Sequence, residues 1–446
     1  MNSNRWEYMR LGDVCRTTSG GTPSRKRAAY FDGDIPWVKS GELPNGPVGN
    51  IEECISEAAL KGSSAKPFPA GTLLIALYGA TVGKLGILTR SAATNQAVCA
   101  IFPPASLDTR FLFWHLRFRR EDLVAQAVGG AQPNISQSVI RGLVVPVPPL
   151  DRQHEIVAEI EKQFSRLDEA AANLKRVKAN LKRYKAAVLK AAVEGRLVPT
   201  EAELARREGR SYETGAQLLQ RILETRRSRW KGKGKEPAAP DMIDLPDLPT
   251  GWRWVSIEEI ADRVADVDHK MPKPADSDIR YISTRDFIDE DGIDFKGAKC
   301  ISQADYEVLC KKVRPEFGDI LLSRYGTVGE VRVVNTERPF QASYSIAIIK
   351  SLTGFELAPY LTIALRSRVM QDQIKRDVRA TAQPDLGLAH IRLLAVPLPP
   401  LAEQHRIVAE VDRHLSILYG VEAEVDANLK RAERLRQSVL GRVFAG

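Results

Sequence analysis

The sequence predicts a mixed α/β (α+β) protein: two similar globular domains separated by a pair of long antiparallel coiled-coil helices, with an internal pseudo-two-fold repeat. Three observations carry this. One long phrase occurs twice, QPNISQSVIRGLVVPVPPLDRQHEIVAEIEK from Gln132 and QPDLGLAHIRLLAVPLPPLAEQHRIVAEVDR from Gln383, at a constant offset of 251 residues and without a gap. Each copy runs into a heptad pattern of equal length. Each is preceded by short apolar runs punctuated by Gly, Pro and Asn, the mark of strands rather than helices. A repeat of roughly 200–250 residues is far longer than a solenoid period, so the chain is a two-unit protein.

The elements follow in order. The first domain is expected over 1–149. Its strands are predicted at Leu73 to Leu77, Ile87-Leu88 and Ala97 to Phe102, followed by a helix over Thr109 to Ala127. The phrase GTLLIALYGATVG from Gly71 is answered by GDILLSRYGTVG from Gly318, one residue shorter. Cys54-Ile55-Ser56 answers Cys300-Ile301-Ser302, Asp34 to Val38 answers Asp278 to Ile282, and Trp6 is set opposite Trp254. Offsets wander between 244 and 251 here, so insertions and deletions fall in the early part of each domain. The cluster Pro146-Val147-Pro148-Pro149 forbids helix and enforces an extended crossing.

A long helix is expected over 150–198. Its seam holds Ile160, Phe164, Leu167, Leu174, Leu181 and Val188, and the polar positions Lys178 and Lys185. The second helix, 401–446, repeats the seam at Val411, Leu415, Leu418, Val425, Leu429 and Val439, with Glu422 and Arg436 as its polar members. At 1.5 Å per residue each helix is roughly 65–70 Å long. Equal length without gaps is what mutual packing requires, so the two are predicted to pair antiparallel, with the polar seam residues fixing register. Between them lies a linker, 199–250, with a helix over Glu213 to Trp230 and a flexible basic stretch, KGKGKEPAAP. The second domain, 251–400, has strands at Ile320 to Leu322 and Val331 to Val334 and a helix over Ala358 to Val378.

At 446 residues the chain has room for two or three domains, and its formal net charge of +9 favours a polyanionic partner. Five scattered cysteines with no CxxC spacing point to reduced thiols and a cytoplasmic address. No apolar segment is long enough for a leader or a membrane span, so no membrane association is expected.

The search for catalytic chemistry is nearly empty. Gly79-Ala80-Thr81-Val82-Gly83-Lys84 has too few residues between its glycines for a phosphate loop, and Leu85 stands where Ser or Thr would ligate magnesium. A tight turn between strands explains it better. None of the Pro-Pro pairs sits in the tetrapeptide of an adenine methyltransferase, and the histidines form no metal pattern. His154 and His405 open helices beside Gln153 and Gln404, as capping or packing residues. No cofactor or metal is expected on this chain.

Binding equipment is richer. Ser24, Arg25, Lys26 and Arg27 form a basic loop, and Lys39 and Lys84 add charge for phosphate anchoring. From Lys175 to Lys190 the helix carries seven positive and no negative residues, either a phosphate-neutralising face or a solvated one. Candidate base readers are Ser40, Tyr78, Asn95, Gln96, Gln132 and Asn134 in the first domain. In the second they are Thr284, Arg285, Arg324, Tyr325, Ser343, Tyr344, Arg379 and Gln383. Arg suits the guanine O6/N7 edge, and Asn or Gln the adenine N6/N7 edge.

A variable domain ending in AVPLPPLAEQHRIVAEV, running into a long helix, and occurring twice behind a GDILLSRYGTVG-like element resembles the specificity subunit of Type I restriction–modification systems. Trp37, the two Pro-Pro-Leu segments, and Gln153-His154 and Gln404-His405 carry the resemblance, with LPDLPTGWRW resembling the family's linker. The resemblance implies two target-recognition domains, each reading one half of a split, asymmetric site on double-stranded DNA. It implies a helix pair that sets the unread spacer. It also implies two methyltransferase subunits and motor-nuclease subunits as partners, which bind S-adenosylmethionine, ATP and Mg2+ in this chain's stead. The alternative is a scaffold whose coiled-coil core and domains bind only proteins.

Overall fold

The computed structural model describes residues 6–127, 134–229, 236–269, 271–289, 291–352, 354–378 and 384–445. The chain divides into two compact units, Met1–Arg176 with Val425–Gly446, and Val177–Glu424. The division falls inside both long helices, because the helix ends are part of the cores.

In the first unit a five-stranded sheet runs Arg16–Ser19, Val98–Phe102, Leu73–Ala76, Leu85–Leu88, Gly46–Val48, antiparallel except for the last pair. A four-stranded sheet, Cys54–Ile55, Ile35–Val38, Ala92–Thr94, Pro67–Phe68, has a parallel central pair. The run Leu73–Ala76 is buried at every position because both its faces are covered. Leu73 and Ile75 join Phe111, Leu112 and Ile160 on one side, and Leu74 and Ala76 join Phe68, Val98 and Ala100 on the other. That explains a continuous apolar run in place of alternation.

The expected helix over Thr109 to Ala127 is broken. Thr109–Phe118 starts from an Asp108 cap whose carboxylate accepts from Arg110 N and Phe111 N, and Arg120–Ala125 follows after Arg119. Along the first long helix, Leu150–Val193, the residues Ile156, Val157, Ile160 and Phe164 share this core with Leu440 and Phe444 of the second, Leu401–Phe444. The Arg436 guanidinium bonds Asp168 and lies 5.2 Å above the Phe164 ring.

The second unit repeats the plan. Arg263–Ala265, Ile346–Lys350, Ile320–Ser323 and Val331–Val333 form an antiparallel sheet. Lys299–Cys300, Arg280–Ile282 and Phe340–Ala342 form a second, mixed one. Here too Ile320 and Leu322 face one core and Leu321 the other. The helix expected over Ala358 to Val378 breaks at Ser367 into Ala358–Arg366 and Arg368–Asp377.

The linker helix expected over Glu213 to Trp230 is present as Gly215–Arg229, and it buries Leu218, Leu219 and Ile222 in the core of the second unit; a helix that was not expected, Glu201–Glu208 with a Thr200/Glu203 capping box, precedes it. Residues 231–235, the lysine–glycine stretch, lie outside the described residues.

Within this unit the long helices run antiparallel: Lys178 Nζ is 3.6 Å from Glu422, Lys185 Nζ donates to Tyr419 Oη at 3.1 Å, and Tyr184 Oη meets His414 Nδ1 at 3.0 Å. Of the seam residues, Ile160, Phe164, Val188, Val411, Leu418 and Val425 are buried. Leu167, Leu174, Leu181, Leu415, Leu429 and Val439 are half-buried.

The register of the first strand corrects the alignment at the front of the repeat. Tyr8 pairs with Pro146 in Glu7–Arg10·Val144–Val147, and Trp254 pairs with Pro397 in Arg253–Ser256·Ala395–Leu398. Tyr8, not Trp6, is therefore the counterpart of Trp254. The shared glutamine also gains a physical reason. Gln153 Nε2 donates to Pro148 O at 2.7 Å and Gln404 Nε2 to Pro399 O at 2.9 Å, each pinning the proline crossing to the first helical turn.

Candidate nucleic-acid interface

In each unit the loops at one end of the sheets are stitched together by backbone hydrogen bonds. In the first, Gly21 N donates to Thr94 O at 2.9 Å, Asn95 N to Val38 O at 3.0 Å, Leu77 N to Ala97 O at 2.8 Å and Ile135 N to Leu77 O at 2.9 Å, and Tyr78 bridges to Asn134. In the second, Ser343 N donates to Ile282 O at 2.7 Å, Arg324 N to Ser345 O at 2.8 Å and Leu386 N to Arg324 O at 2.8 Å, and Tyr325 bridges to Asp385. Apart from the Gly21–Thr94 bond, which has no counterpart among the bonds of the second unit, the stitches fall at equivalent positions. They pair Tyr78 with Tyr325, Asn95 with Ser343, Gln96 with Tyr344, Ser40 with Thr284, and Asn134 with Asp385.

The two glycine turns that carry these loops are alike. Gly71, Gly79 and Gly83 have φ of 82°, 70° and 74°, and Gly318, Gly326 and Gly329 have 83°, 79° and 94°. Such left-handed conformations strain residues with a Cβ, which fixes glycine there. The GATVGK element is thus a turn joining the antiparallel strands Leu73–Ala76 and Leu85–Leu88, and Lys84 is half-buried at its foot.

The predicted readers divide by exposure. Gln96, Asn134, Tyr78 and Arg285 are exposed, while Ser40, Asn95, Thr284, Tyr325 and Tyr344 are half-buried. Gln132, Arg379 and Gln383 lie outside the described residues.

Two expectations are corrected. Arg324 is 6% exposed, and its guanidinium is engaged by Asp266 at 3.2 Å, Asp385 at 2.9 Å, Leu386 O at 2.9 Å and Tyr344 O at 3.1 Å. It braces the loops, with four of its five N–H groups turned to internal acceptors, and is not placed to read a guanine. Ser343 is 3% exposed and bonds Ser345 Oγ at 2.6 Å, so it too is internal.

Among the basic residues, Ser24 and Lys26 are exposed. Arg27 donates to Tyr30 Oη at 2.6 Å. Arg25 and Lys39 both reach Glu53, at 2.7 and 3.2 Å, and Arg25 lies 4.3 Å over the Phe31 ring. The Glu53 bond raises the Lys39 pKa. Burial works against the Glu53 carboxylate, but the bonds from Arg25 and Lys39 outweigh it and hold its pKa below the usual range. Exposed pairs of this kind are worth about 0–1 kcal/mol, so they orient the cations while leaving them open to phosphate. On the helix, Lys178 and Lys185 face the seam, whereas Lys175, Arg176, Lys182, Arg183 and Lys190 are exposed.

Sequence reasoning missed Thr22 and His269. They correspond when strand register is continued past the paired residues: Thr17 lies opposite Ile101 and Val264 opposite Ile349, and Ile101 and Ile349 both flank the first residue of the central strand. Thr22 Oγ1 donates to Gln96 Oε1, and the His269 ring stacks on Tyr344 with centroids 4.5 Å apart. No sequence signal marks them, because they sit where the offset between copies drifts.

Among the described residues no group of His, Cys, Asp or Glu is arranged to hold a metal ion, and no helix is long and apolar enough to cross a membrane. His154 and His405 approach Asp108 at 3.8 Å and Glu356 at 3.7 Å, as helix-start residues. The buried thiols of Cys15 and Cys99 are pushed up to about 11 and about 12 by desolvation, which keeps them protonated and unreactive.

Comparison with known proteins agrees with this architecture. The chain is similar to the EcoBI specificity subunit of Escherichia coli, 24% identical over 80% of this chain and 69% of that protein. It is also similar to the EcoDI specificity subunit of Escherichia coli, 23% identical over 99% and 88%. A solved structure of a type I R-M system, described for its complex assembly and conformational transition, superposes with a TM-score of 0.68 at 18% identity, covering 98% of this chain and 97% of that one. The HsdS subunit from Thermoanaerobacter tengcongensis superposes with a TM-score of 0.51 at 19% identity, covering 99% and 97%. The model of the Type I restriction modification DNA specificity domain matches twice, at residues 3–183 and 249–431, and the chain belongs to that family.

Proposed function

We propose that this chain is the DNA-reading subunit of a Type I restriction–modification complex. Each unit contacts one half of a bipartite, asymmetric site through its loop cluster, and the paired helices set the spacer. The observation that carries the reading is the recurrence of one loop scaffold with different side chains on it. Equivalent backbone stitches hold Tyr78, Asn95, Gln96 and Asn134 in one unit and Tyr325, Ser343, Tyr344 and Asp385 in the other. A shared frame with unlike readers is what an asymmetric site requires.

The chemistry belongs to partners. Two methyltransferase subunits, binding S-adenosylmethionine, modify one adenine in each half-site, and motor-nuclease subunits using ATP and Mg2+ cleave unmodified DNA. This chain supplies phosphate anchoring, base-edge contact and spacing, and works in the cytoplasm. The exposed lysines and arginines of the first long helix are available for DNA or for a partner's acidic face.

Footprinting of the full chain assembled with its methyltransferase partner tests the reading. Two protected patches about one helical turn (~34 Å) apart are expected. Protection independent of sequence overturns it in favour of a protein-only scaffold. Inserting one heptad after Leu174, with a matching heptad in the second helix, is expected to lengthen the tolerated spacer and leave both half-sites unchanged. Altered half-site bases would contradict the spacing role.

A further inference from the structure

We propose that the position pair Thr22/Gln96 in the first unit and His269/Tyr344 in the second is the specificity-determining pair of each loop cluster. The inference rests on the DNA-reading function above and assigns it to particular side chains. Three features single out this pair. The two members come from different loops, one following the edge strand (Arg16–Ser19 or Arg263–Ala265) and one preceding the strand paired with it (Val98–Phe102 or Ile346–Lys350). They touch each other in both units. And they touch by opposite chemistries at corresponding places, a hydroxyl-to-amide hydrogen bond in one and a ring stack in the other.

Each contact pre-orients a reader. Thr22 Oγ1 donates to Gln96 Oε1, which fixes the plane of an exposed amide. Nε2 is then left to donate, and the second lone pair of Oε1 to accept, the pattern that matches adenine N7 and N6 in the major groove. In the second unit the Tyr344 ring is held on two sides. His269 stacks on it at an interplanar angle of 26°, and Tyr325 meets it edge-on with centroids 5.7 Å apart. A clamped aromatic offers a flat apolar face suited to the thymine methyl group. Orienting a side chain before contact removes the rotamer entropy that contact would otherwise cost, so locked readers discriminate better than free ones.

The neighbours do not share this property. Ser343 is buried against Ser345, and Arg324 is engaged within the loops. The pair is thus an accessible place at which the two clusters differ in chemistry.

The test uses the full chain assembled with its methyltransferase partners, acting on plasmids with randomised target sequence, with methylated adenines located by sequencing. The double substitution Thr22→His with Gln96→Tyr transplants the second unit's pair into the first. It is expected to change the preferred base in one half-site by roughly tenfold or more and leave the other half-site as it was. The milder Thr22→Ala with Gln96→Ala removes only exposed groups and guards against misfolding. It is expected to relax discrimination at a base pair of the same half-site by about tenfold. The inference is overturned if the unaltered chain directs methylation to a bipartite site and the variants keep the same bases in both halves. A wild-type complex that methylates no bipartite site sinks the functional reading itself, which is a distinguishable result.

Discussion

The two units hold the same loops in place by different means. In the first, the position after the central strand is Leu77, buried, with Ser19 and Asn134 beside it. In the second, the equivalent trio is Arg324, Asp266 and Asp385, a buried guanidinium between two carboxylates. The backbone stitches of the loops after Leu77 and Arg324 are the same in both. A fold that accepts either an apolar plug or an ionic brace at one spot constrains its loops by backbone geometry, and side chains there are free to diverge as a set. The difference also separates bracing from reading, since Leu77 and the Arg324–Asp266 pair are buried while Asn134 is exposed.

The largest effect is expected from breaking one set halfway. Arg324→Leu leaves Asp266, whose side chain is 9% exposed, with only the more exposed Lys312 ammonium, 3.4 Å away, as counter-charge. A loss of about 3 kcal/mol follows, the low end of the range for a broken buried pair, because Lys312 still compensates part of the carboxylate's charge. Adding Asp266→Ser and Asp385→Asn converts the trio to that of the first unit and is expected to recover most of the loss. Urea denaturation of the full chain, with hydrogen exchange across Ile320–Ser323, measures both. Failure of the triple variant to recover would mean that the surroundings of the trio have diverged as well.

Much of this architecture is legible in the sequence, and the boundary of legibility has a physical cause. The late part of each unit, from the proline crossing through the long helix, is readable because helix pairing tolerates no length change, so register survives as a constant offset. The strands were readable as apolar runs because both faces of Leu73–Ala76 and Ile320–Ser323 are covered. The loops were not. Their lengths drift, so Thr22 and His269 were missed and Trp6 was set opposite Trp254 when strand register pairs Tyr8 with it. Arg324 was read as a guanine contact because a loop arginine in a basic chain points outward by default; nothing in sequence spacing places Asp266 and Asp385 against it. The linker helix is legible, but its docking is not, because its charge conceals the apolar stripe Leu218, Leu219 and Ile222.

Acid distinguishes the units next. His115, on Thr109–Phe118, is 4% exposed and packs against Phe444, and desolvation lowers its pKa to about 4. The corresponding helix Ala358–Arg366 contains no histidine. A histidine whose folded pKa is depressed stabilises the fold in its neutral form. That stability is fully present above the unfolded pKa of about 6.5 and is lost as pH falls from there towards 4. The first unit is therefore expected to weaken by about 3 kcal/mol across this window relative to its His115→Gln variant. Parallel denaturation series at pH 7 and pH 5, with hydrogen exchange to resolve the units, check it. An equal pH response in variant and parent would assign the sensitivity elsewhere.

The two helix-start glutamines give a smaller contrast. Gln153 makes three bonds, accepting from Asp108 N at 2.7 Å and donating to Ser106 O at 2.9 Å and Pro148 O at 2.7 Å. Gln404 donates to Pro399 O, and its Oε1 is buried without a partner among the described residues. Gln153→Ala leaves more buried groups unsatisfied, so it is expected to lose about 2–3 kcal/mol against about 1 for Gln404→Ala. Thermal melts of the two single variants rank them, and equal losses would mean that the crossing, not the glutamine bonds, sets the stability.

The smallest effect is expected at the polar seam. Lys178 and Glu422 sit 3.6 Å apart with side chains 43% and 44% exposed, so their coupling in a double-mutant cycle is expected at about 0–1 kcal/mol and to shrink in high salt. Replacing both with Leu, which continues the apolar seam, should hold or slightly raise stability. What the pair contributes is register: a charged couple facing across a mostly apolar seam disfavours a helix slip that would oppose Lys178 to leucine. The leucine variant is therefore expected to melt no lower than the parent yet to methylate half-sites with a broadened range of spacers. A sharp, unchanged spacer in that variant would place register control in the helix ends, where Phe164 and Arg436 stack in one unit and Tyr184 meets His414 in the other.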